Sequence, residues 1–485
     1  MHRVRLFLIQ TLLFCLVLTL LLPSVANAQE PVITEEAPLY DTVKVGLYYG
    51  STVLTEARLE NEVGSGYLFG WYDDDRIFHE VARTDVTRLT MTGDLNLTTE
   101  NNVELGCYHL LVSGPYTEYD AALQAISAEG FIAYYSGEYF VMNGQYQSVA
   151  EAEKAVAGGA EGTVYTASNR CIVVTETGTN RILFEFDCGA ARSLAIRPIS
   201  EGEKSVTWFK QLMYYGDFQY SRLTGDEGLT VVNYVGLEDY TKGVVPYEMS
   251  ASWPLEALKA QALCARNFVA TSFDRYRAHG FDVTADTYSQ VYRGISSYDS
   301  INQAVDETAG QFIRYNGEIC QTYFFSSDGG ATESAAYVWT NGVPYLMGVE
   351  DPYEEDVNTG SKDWTYSLSP EELTEQLNER MGCRLGTIVS VRCEYTDMNN
   401  VKSITFTDEF DDSFTVNNNR CVYAIGSQSP RFQVTTDAQG NFEVKGSGWG
   451  HNCGMSQYGA YSMARYHVKT AEEIIKFYYT GVYIS

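Results

Sequence analysis

The sequence has few basic residues for its length. It carries 33 Lys and Arg against 63 Asp and Glu among 485 residues, which gives a formal net charge of −30 at pH 7. A chain of this charge repels phosphate backbones and anionic lipid surfaces, because both are themselves negative. The charge balance therefore argues against nucleic acid and anionic membrane surfaces as partners.

Several metal and nucleotide motifs are also missing. No CxxC pair occurs and no Cys/His run has zinc-site spacing, so we expect no structural zinc. The acidic turn Asp73-Asp74-Asp75 lacks the Gly and the downstream Glu of an EF-hand calcium loop. The Gly-rich segment 446–454 lacks the Lys-Ser/Thr ending of a phosphate-binding loop. We therefore expect neither a metal ion nor another cofactor.

Long apolar runs are confined to one place. Residues 6–22 form such a run, preceded by two arginines and followed by Ala26-Asn27-Ala28, which is typical of a secretory signal peptide. We expect residues 1–28 to be removed and the protein to be exported, to the extracellular space or the cell wall. An uncleaved segment would instead anchor the chain in the membrane. Residues 29–42 are interpreted as a flexible leader.

The cysteines are few and odd in number after the expected cleavage. Ten occur in the whole chain, one of them inside the signal, which leaves nine. An odd number in an exported protein requires at least one free or intermolecular thiol. The spacings 171/188 and 383/393 would suit short disulfide loops, but a sequence does not assign connectivity.

The order of β-like and helical segments predicts a multidomain α+β protein. Short β-like pieces alternate with Gly and Asp turns over residues 43–100, which predicts a small β-rich unit. Over residues 101–170 a β run followed by a helical run occurs twice, with one strand between the two copies and one after them. This second unit has the order βαββαβ.

The βαββαβ unit resembles the SPOR domain, through the segments VSGPYTEYDAAL and MNGQYQSVAEAEKAV. That resemblance implies binding to peptidoglycan glycan strands that have lost their stem peptides. A ferredoxin-like module without a ligand of its own accounts for the same pattern. The sequence leaves both interpretations open.

One segment near the middle of the chain gives the clearest helix prediction. From Leu255 onward, apolar residues recur at spacings of three and four. Ser252 is the expected N-cap, Pro254 lies in the first turn, and Gly280 is the expected end. Glu248 would then lie in a short turn just before a rigid helix.

Four ordered blocks carry a stronger resemblance. They are NYVGLEDYTKGVVPYEMSASWPLEALKAQALCARNFVATS, TADTYSQVYRG, TYFFSSDGGATESAAYVWTNGVPYLMGVEDP and GSGWGHNCGMSQYGAYSMARYHVKTAEEIIKFYYTGVYI. This set resembles the SpoIID/LytB family (stage II sporulation protein D-like), whose enzymatic members are lytic transglycosylases of peptidoglycan. The resemblance implies a SpoIID-type catalytic domain over residues 202–485.

The same resemblance places the family's catalytic glutamate on Glu248. Such an enzyme needs one carboxyl group, which protonates the glycosidic oxygen and then takes a proton from the sugar's C6 hydroxyl as that oxygen attacks C1. An ordinary glutamate is ionised at pH 7, so the site has to raise its pKa by burial beside apolar groups. Tyr247, Met249 and Trp253 are the candidate apolar wall. On the residues alone, a glutamate before a helix more simply favours the helix dipole.

Further polar residues match positions that line the family's glycan cleft. Their hydroxyl, amide and imidazole groups suit sugar hydroxyls, although turn chemistry or a buried structural histidine accounts for them as well. The predicted substrate-binding residues are Ser289, Gln290, Tyr292, Ser326, Ser327, His451, Gln457 and Tyr458. Lys259 and Arg266 would meet the lactyl carboxylate of denuded muramic acid, unless they are solvated helix charges.

These residues define three hypotheses of function. The first is a lytic transglycosylase that acts on denuded glycan strands and leaves 1,6-anhydro-muramyl ends. The alternative is a non-catalytic glycan-binding protein that enhances a cell-wall amidase, as LytB-like members do. A hydrolase that uses water would need a second carboxylate opposite Glu248, for which Asp286 and Asp328 are the candidates.

Overall fold

A computed structural model describes residues 39–127, 129–223, 228–339, 341–360 and 362–485. The expected signal peptide and most of the expected leader lie outside these ranges. Among the helices that are described, none has the length and apolar character needed to cross a membrane. Residues Tyr40 to Ser485 pack as one unit.

Two large sheets occupy the first half of the described chain. Their strands are rich in β-branched and aromatic residues, which suit a buried pleated surface. The ten-stranded sheet contains, in spatial order, Thr163–Tyr165, Tyr108–Tyr116, Glu138–Tyr146, Gly130–Tyr135, Ile182–Asp187, Ile172–Glu176, Arg88–Gly93, Glu56–Val63, Val206–Phe209 and Leu212–Tyr214. The seven-stranded sheet contains Val283–Thr284, Thr42–Tyr48, Thr230–Gly236, Asp217–Ser221, Leu194–Pro198, Tyr67–Tyr72 and Phe78–Thr84.

The expected βαββαβ order of elements occurs within the ten-stranded sheet. Helices Tyr119–Ala125 and Val149–Ala157 connect its strands. The sheet does not end with this segment, because strand Gly130–Tyr135 pairs in parallel with Ile182–Asp187. The segment is therefore one part of a larger sheet, and the SPOR resemblance and the three domain boundaries stay predictions.

The other elements are shorter and more mixed. The small sheets pair Leu97–Thr98 with Glu104–Leu105; Ile313–Tyr315 with Glu318–Ile319 and Tyr483–Ile484; Phe324–Phe325 with Met455–Ser456; Phe442–Gly446 with Trp364–Leu368 and Phe432–Thr436; and Val401–Asp408 with Ile388–Tyr395 and Ser413–Asn417. The remaining helices are Leu237–Glu248, Leu255–Ala270, Asp299–Asp306, Ala335–Trp339, Pro370–Met381, Arg420–Ile425, Gln457–Tyr466 and Ala471–Tyr478, with 3-10 turns at Gly50–Thr52, Arg277–His279 and Tyr353–Asp356. This mixture confirms the predicted α+β class.

The central predicted helix is shorter than expected. It spans Leu255–Ala270, with Pro254 rather than Ser252 as its N-cap. The Thr271 hydroxyl donates to carbonyl groups of the last turn, which satisfies acceptors that a further turn would otherwise use. Gly280, the predicted end, closes a separate 3-10 turn instead.

This helix is also more buried than its periodicity predicted, with thirteen of its sixteen residues inside the protein. Arg266 is fully buried and pairs with Glu238 at 2.6 Å. Lys259 pairs with Glu256 at 2.7 Å and with Glu307 at 2.6 Å. Arg266 is closed off from any ligand, so the prediction that it meets a ligand carboxylate is wrong, whereas the same prediction for Lys259 stays a prediction.

The nine cysteines of the described residues are all free thiols. Neither Cys171 with Cys188 nor Cys383 with Cys393 forms a bond, so the two short loops suggested by spacing are not closed. Burial raises the pKa of the Cys171 thiol well above its ordinary value and raises that of Cys393 to about 11. These thiols stay protonated and unreactive near neutral pH.

Candidate functional site

Glu248 is the last residue of the helix Leu237–Glu248, and not part of a free turn as predicted. Pro246 lies in the final turn and has no N–H to donate back into the helix, whereas the Met249 N–H still donates to the Val245 carbonyl as the helix ends. The C-terminal end of a helix carries partial negative charge, so this helix disfavours the ionised carboxylate. Glu248 therefore does not act as a charge that stabilises the dipole of this helix.

The Glu248 carboxyl group is half-buried and only weakly hydrogen-bonded. Burial raises its pKa, while the Gln457 side chain and the backbone N–H of Val291 oppose that shift. Gln457 Nε2 lies 3.5 Å from Glu248 Oε2 and 3.5 Å from Gln261 Oε1. Both contacts are at the long limit for a hydrogen bond. The carboxyl group is therefore suited to hold a proton.

Gln457 reaches Glu248 from a distant part of the sequence. The parallel pair of strands Phe324–Phe325 and Met455–Ser456 joins the third and fourth sequence blocks. Ser456 then caps the helix Gln457–Tyr466, because its side chain accepts the N–H of Gly459 at 3.1 Å. Gln457 is thus the first residue of a helix whose start is fixed.

The second sequence block supplies further polar groups near Glu248. Val291 contributes its backbone N–H, and the adjacent Gln290 is buried. Gln290 Oε1 accepts the Tyr240 hydroxyl at 3.0 Å. The charge of Glu248 helps to raise the pKa of Tyr240, which places that ring near the carboxyl group. The structure therefore brings Glu248, Gln290 and Gln457 together.

Other residues of this block bond within the protein. The Tyr292 hydroxyl is buried and donates to Asn233 at 2.8 Å. Ser289 Oγ accepts the Thr284 N–H at 3.1 Å. Asp286, one candidate for a second carboxylate, is exposed and accepts the Thr284 hydroxyl at 2.8 Å. These bonds hold the block in place, and contact of Ser289 and Tyr292 with a sugar stays a prediction.

The SSDGG loop is organised around Glu354. This carboxylate accepts the Ser327 hydroxyl at 2.8 Å and the N–H groups of Asp328 and Gly329 at 2.9 and 3.0 Å. Gly329 has a φ of 67°, and a Cβ atom there would overlap Ser447, so only glycine fits. Ser327 and Asp328 are both fully buried. In this structure Ser327 holds the loop, and Asp328 faces other acids rather than an open cleft.

The predicted apolar wall divides into three parts. Trp253 lies 5.1 Å from the ring of Tyr458, and these two aromatic rings are half-buried. Met249 is only 2% exposed and belongs to the core, whereas Tyr247 is 48% exposed.

The backbone N–H of Tyr458 donates to the Ser326 carbonyl at 3.0 Å, which ties the third block to the fourth.

His451 lies in an aromatic cluster. Its ring centroid is 5.2 Å from that of Phe325 and 5.1 Å from that of Trp339. Its Nδ1 accepts the N–H of Cys453 at 3.1 Å. Burial lowers the pKa of His451 to about 4, so its ring is neutral at pH 7. A neutral imidazole of this kind is suited to packing or hydrogen bonding, and not to supplying a proton.

Sequence reasoning missed Gln261. It is fully buried in the helix Leu255–Ala270, and its Nε2 has no hydrogen-bond partner among the described residues. An amide inside an apolar helix stripe was the available signal, because buried polar groups need partners. The Val291 N–H had no such signal, since every residue except proline carries one.

The structure defines an α+β protein in which a half-buried, weakly hydrogen-bonded glutamate lies beside residues of the first, second and fourth sequence blocks. A family model described as Stage II sporulation protein, SpoIID, matches residues 225–315. An uncharacterised protein of Brachyspira hyodysenteriae is 36% identical over 272 residues, which cover 56% of this chain and 71% of that protein. Stage II sporulation protein D of Bacillus subtilis is 31% identical over 272 residues, which cover 52% of this chain and 76% of that protein.

A third relative, the amidase enhancer of Bacillus subtilis, is 30% identical over 294 residues. That match covers 50% of this chain but only 40% of the amidase enhancer. The chain belongs to the SpoIID family, as the four sequence blocks predicted.

Proposed function

We propose that this protein acts in the cell wall as a lytic transglycosylase, which cleaves denuded peptidoglycan glycan strands with Glu248 as its acid and base. The observation that carries the proposal is the state of this carboxyl group. It is half-buried, its pKa is raised by burial, and its side-chain donor lies at 3.5 Å. A family whose members include sporulation protein D supports a role in the cell wall.

The reaction needs two proton transfers at one carboxyl group. Protonated Glu248 gives its proton to the glycosidic oxygen as the bond from C1 to that oxygen breaks. The resulting carboxylate takes the proton of the C6 hydroxyl, whose oxygen forms the new bond to C1. No water is consumed, and the product is a 1,6-anhydro ring. Gln457 and the Val291 N–H stabilise the carboxylate between the two steps.

The placement of the other acids favours this reaction over hydrolysis. A hydrolase that uses water needs a second carboxylate some 5–10 Å from the first. Asp328 is fully buried, and Asp286 is occupied by the Thr284 hydroxyl and the Tyr288 N–H. Neither is presented as a free base.

Substrate contacts follow from the exposed side chains near Glu248. Trp253 and Tyr458 offer aromatic faces on which sugar rings stack. Arg293 is exposed and lies 6.0 Å from the ring of Tyr247, the neighbour of Glu248. We assign to Arg293 the contact with the lactyl carboxylate, since Lys259 and Arg266 are already paired.

The test supplies denuded glycan strands to the wild type, to Glu248→Gln and to Glu318→Gln, and measures anhydro-muramyl products by mass spectrometry. Glu318 is an exposed glutamate whose side chain forms no hydrogen bond with the described residues, which makes it a matched control. Loss of a general acid lowers turnover by about 10²–10⁴-fold. Equal product from wild type and Glu248→Gln would overturn the proposal.

A second candidate function rests on the similarity to the amidase enhancer. In that case the protein binds glycan and stimulates a cell-wall amidase without turnover of its own. An inactive wild type that accelerates a purified amidase would replace the first proposal with this one.

A further inference from the structure

Three carboxylates that the proposed reaction does not use meet inside the protein beside the SSDGG loop. Asp328, Asp351 and Glu354 are 0%, 1% and 6% exposed. One oxygen atom from each lies within 4.8 Å of the others. Three like charges in so small a buried volume repel strongly unless protons or a cation neutralise them.

The groups that bond these carboxylates are neutral. Glu354 accepts two serine hydroxyls and two backbone N–H groups. Asp351 accepts the Tyr353 N–H at 2.8 Å and the Tyr478 hydroxyl at 2.5 Å. Such donors orient the oxygens but bring no positive charge.

Nearby basic side chains are engaged elsewhere. Lys362 donates to the Glu355 carbonyl at 3.0 Å, and Arg431 donates to the Met398 carbonyl at 2.6 Å. His467 pairs with Asp356 at 2.7 Å. In the described part of the chain, no Lys, Arg or His forms an ion pair with the three carboxylates.

One oxygen of the cluster accepts no hydrogen bond from an N–H or O–H group of the described residues. Asp328 Oδ1 accepts the N–H of Gly330 at 2.7 Å, but Oδ2 is buried without a hydrogen-bond donor in the described structure. A buried carboxylate oxygen without a donor is unfavourable, and a bound ion is one explanation for it. This unpartnered oxygen is independent of the mere grouping of acids.

An opening also leads to the cluster. A cavity of about 670 Å³ is lined by Asp351 and Glu354, and by the further acids Glu350, Glu355 and Asp363. Such a cavity gives a hydrated cation a route inward and leaves room for the water molecules that complete its coordination. Lys362 and Arg431 also line the cavity, but acids outnumber them, and this excess attracts cations to the route.

We infer that Asp328, Asp351 and Glu354 bind one hard divalent cation, with Ca²⁺ as the expected ion. Ligands that are all oxygen favour Ca²⁺ or Mg²⁺ over zinc. Ca²⁺ accepts irregular geometry, whereas Mg²⁺ demands a near-ideal octahedron. The sequence predicted no metal because these acids are not spaced as a calcium loop, and the fold alone brings them together.

A cation here would lock two parts of the site together. Glu354 accepts the Ser456 hydroxyl, and the next residue, Gln457, donates to Glu248. The same carboxylate holds the SSDGG loop through the Ser327 hydroxyl. The ion therefore supports the start of the Gln457–Tyr466 helix, whatever reaction the site performs.

The experiment uses the full chain after treatment with a chelator. We measure its thermal unfolding with and without 10 mM Ca²⁺, and the luminescence of Tb³⁺ excited through nearby tyrosines such as Tyr478. We expect Ca²⁺ to raise Tm by several degrees and to displace Tb³⁺, because an ion that binds only the folded state stabilises it. Asp328→Asn, which keeps the side-chain shape, should bind at least about tenfold more weakly and lose the Tm shift.

Glu355→Gln is the matched control, since it removes an exposed acid from the same cavity and should keep the shift. Asp351→Asn provides a second variant if Asp328→Asn does not fold. A wild type with neither a Tm shift nor Tb³⁺ luminescence would overturn the inference, and the cluster would then hold shared protons. Equal Tm shifts with Ca²⁺ in wild type, Asp328→Asn and Asp351→Asn would also overturn it. A Tm shift with Zn²⁺ but not with Ca²⁺ would overturn it as well.

Discussion

Two glutamates contact the same short segment, Ser456-Gln457, and differ in how fully they are hydrogen-bonded. Glu354 accepts the Ser456 hydroxyl together with Ser327 Oγ and two backbone N–H groups. Among the described residues, Glu248 accepts only a 3.5 Å contact from the Gln457 side chain and the Val291 N–H. Burial raises the pKa of both carboxyl groups, so burial alone does not distinguish their roles.

The difference lies in what each carboxyl group can still do. A carboxylate that accepts several donors holds those donors in place and is expensive to remove. A carboxyl group with few donors can release and regain a proton with little rearrangement, which acid–base catalysis requires. The comparison therefore assigns loop support to Glu354 and supports the proposal that Glu248 is the acid and base.

The largest change in the free energy of unfolding is expected from Glu354→Ala. It leaves three donors of the SSDGG loop and the Ser456 hydroxyl without an acceptor. An unsatisfied buried donor costs about 1–3 kcal/mol. Relief of repulsion with Asp328 and entry of water offset part of that loss. We expect the free energy of unfolding to fall by about 3 kcal/mol, measured by urea denaturation. Glu355→Ala, at an exposed neighbour, should change it by less than about 0.5 kcal/mol, and a similar small change for Glu354→Ala would refute the assignment.

Glu248→Gln is expected to raise the free energy of unfolding, whereas Glu354→Ala lowers it. Folding raises the pKa of this acid above its ordinary value of 4.5, so the folded state disfavours its ionised form. That penalty is absent below pH 4.5, grows as the pH rises through the folded pKa, and is complete above it. The variant should therefore be more stable than wild type by about 1 kcal/mol at pH 7.

Thermal unfolding at pH 4 and pH 7 tests this prediction. The gain in Tm should be present at pH 7 and vanish at pH 4, whereas Glu318→Gln should show no gain at either pH. A variant that is less stable than wild type at pH 7 would mean that the ionised Glu248 supports the fold, as Glu354 does.

The predictions from the sequence agree with the structure where the information is local. They fail where it depends on residues that are far apart in the chain. The blocks around Glu248 identified the family, and the alternation of β and helical segments predicted the α+β class. The family resemblance placed Gln457 in the same cleft as Glu248, but the hydrogen bonds of the two glutamates could not be predicted, because Gln457 is 209 residues from Glu248 and Ser456 is 102 residues from Glu354. No local pattern records contacts over such separations.

The helix Leu255–Ala270 shows a second limit of local patterns. From the sequence, Arg266 was expected to meet a ligand or to be a solvated helix charge. In the structure Arg266 pairs with Glu238, and the Asn267 amide donates to two backbone carbonyls at 2.6 and 3.0 Å. Periodicity separates polar from apolar residues, but it does not show whether a polar residue finds its partner in water or in the core.

The smallest effect is expected from Gln457→Ala, which removes the only side chain that donates to Glu248 within the described residues. The Gln457 amide lowers the pKa of Glu248, so its loss should raise that pKa further. Because the general acid has to be protonated, the alkaline limb of the profile of kcat/KM against pH should move to higher pH, by less than about one unit for a bond this long. Gln433→Ala, at an exposed glutamine of the strand Phe432–Thr436, should leave the limb unchanged. A lower kcat/KM without movement of the limb would show that Gln457 binds substrate but does not set the pKa of Glu248. Movement of the limb to lower pH would contradict the hydrogen bond between Gln457 and Glu248.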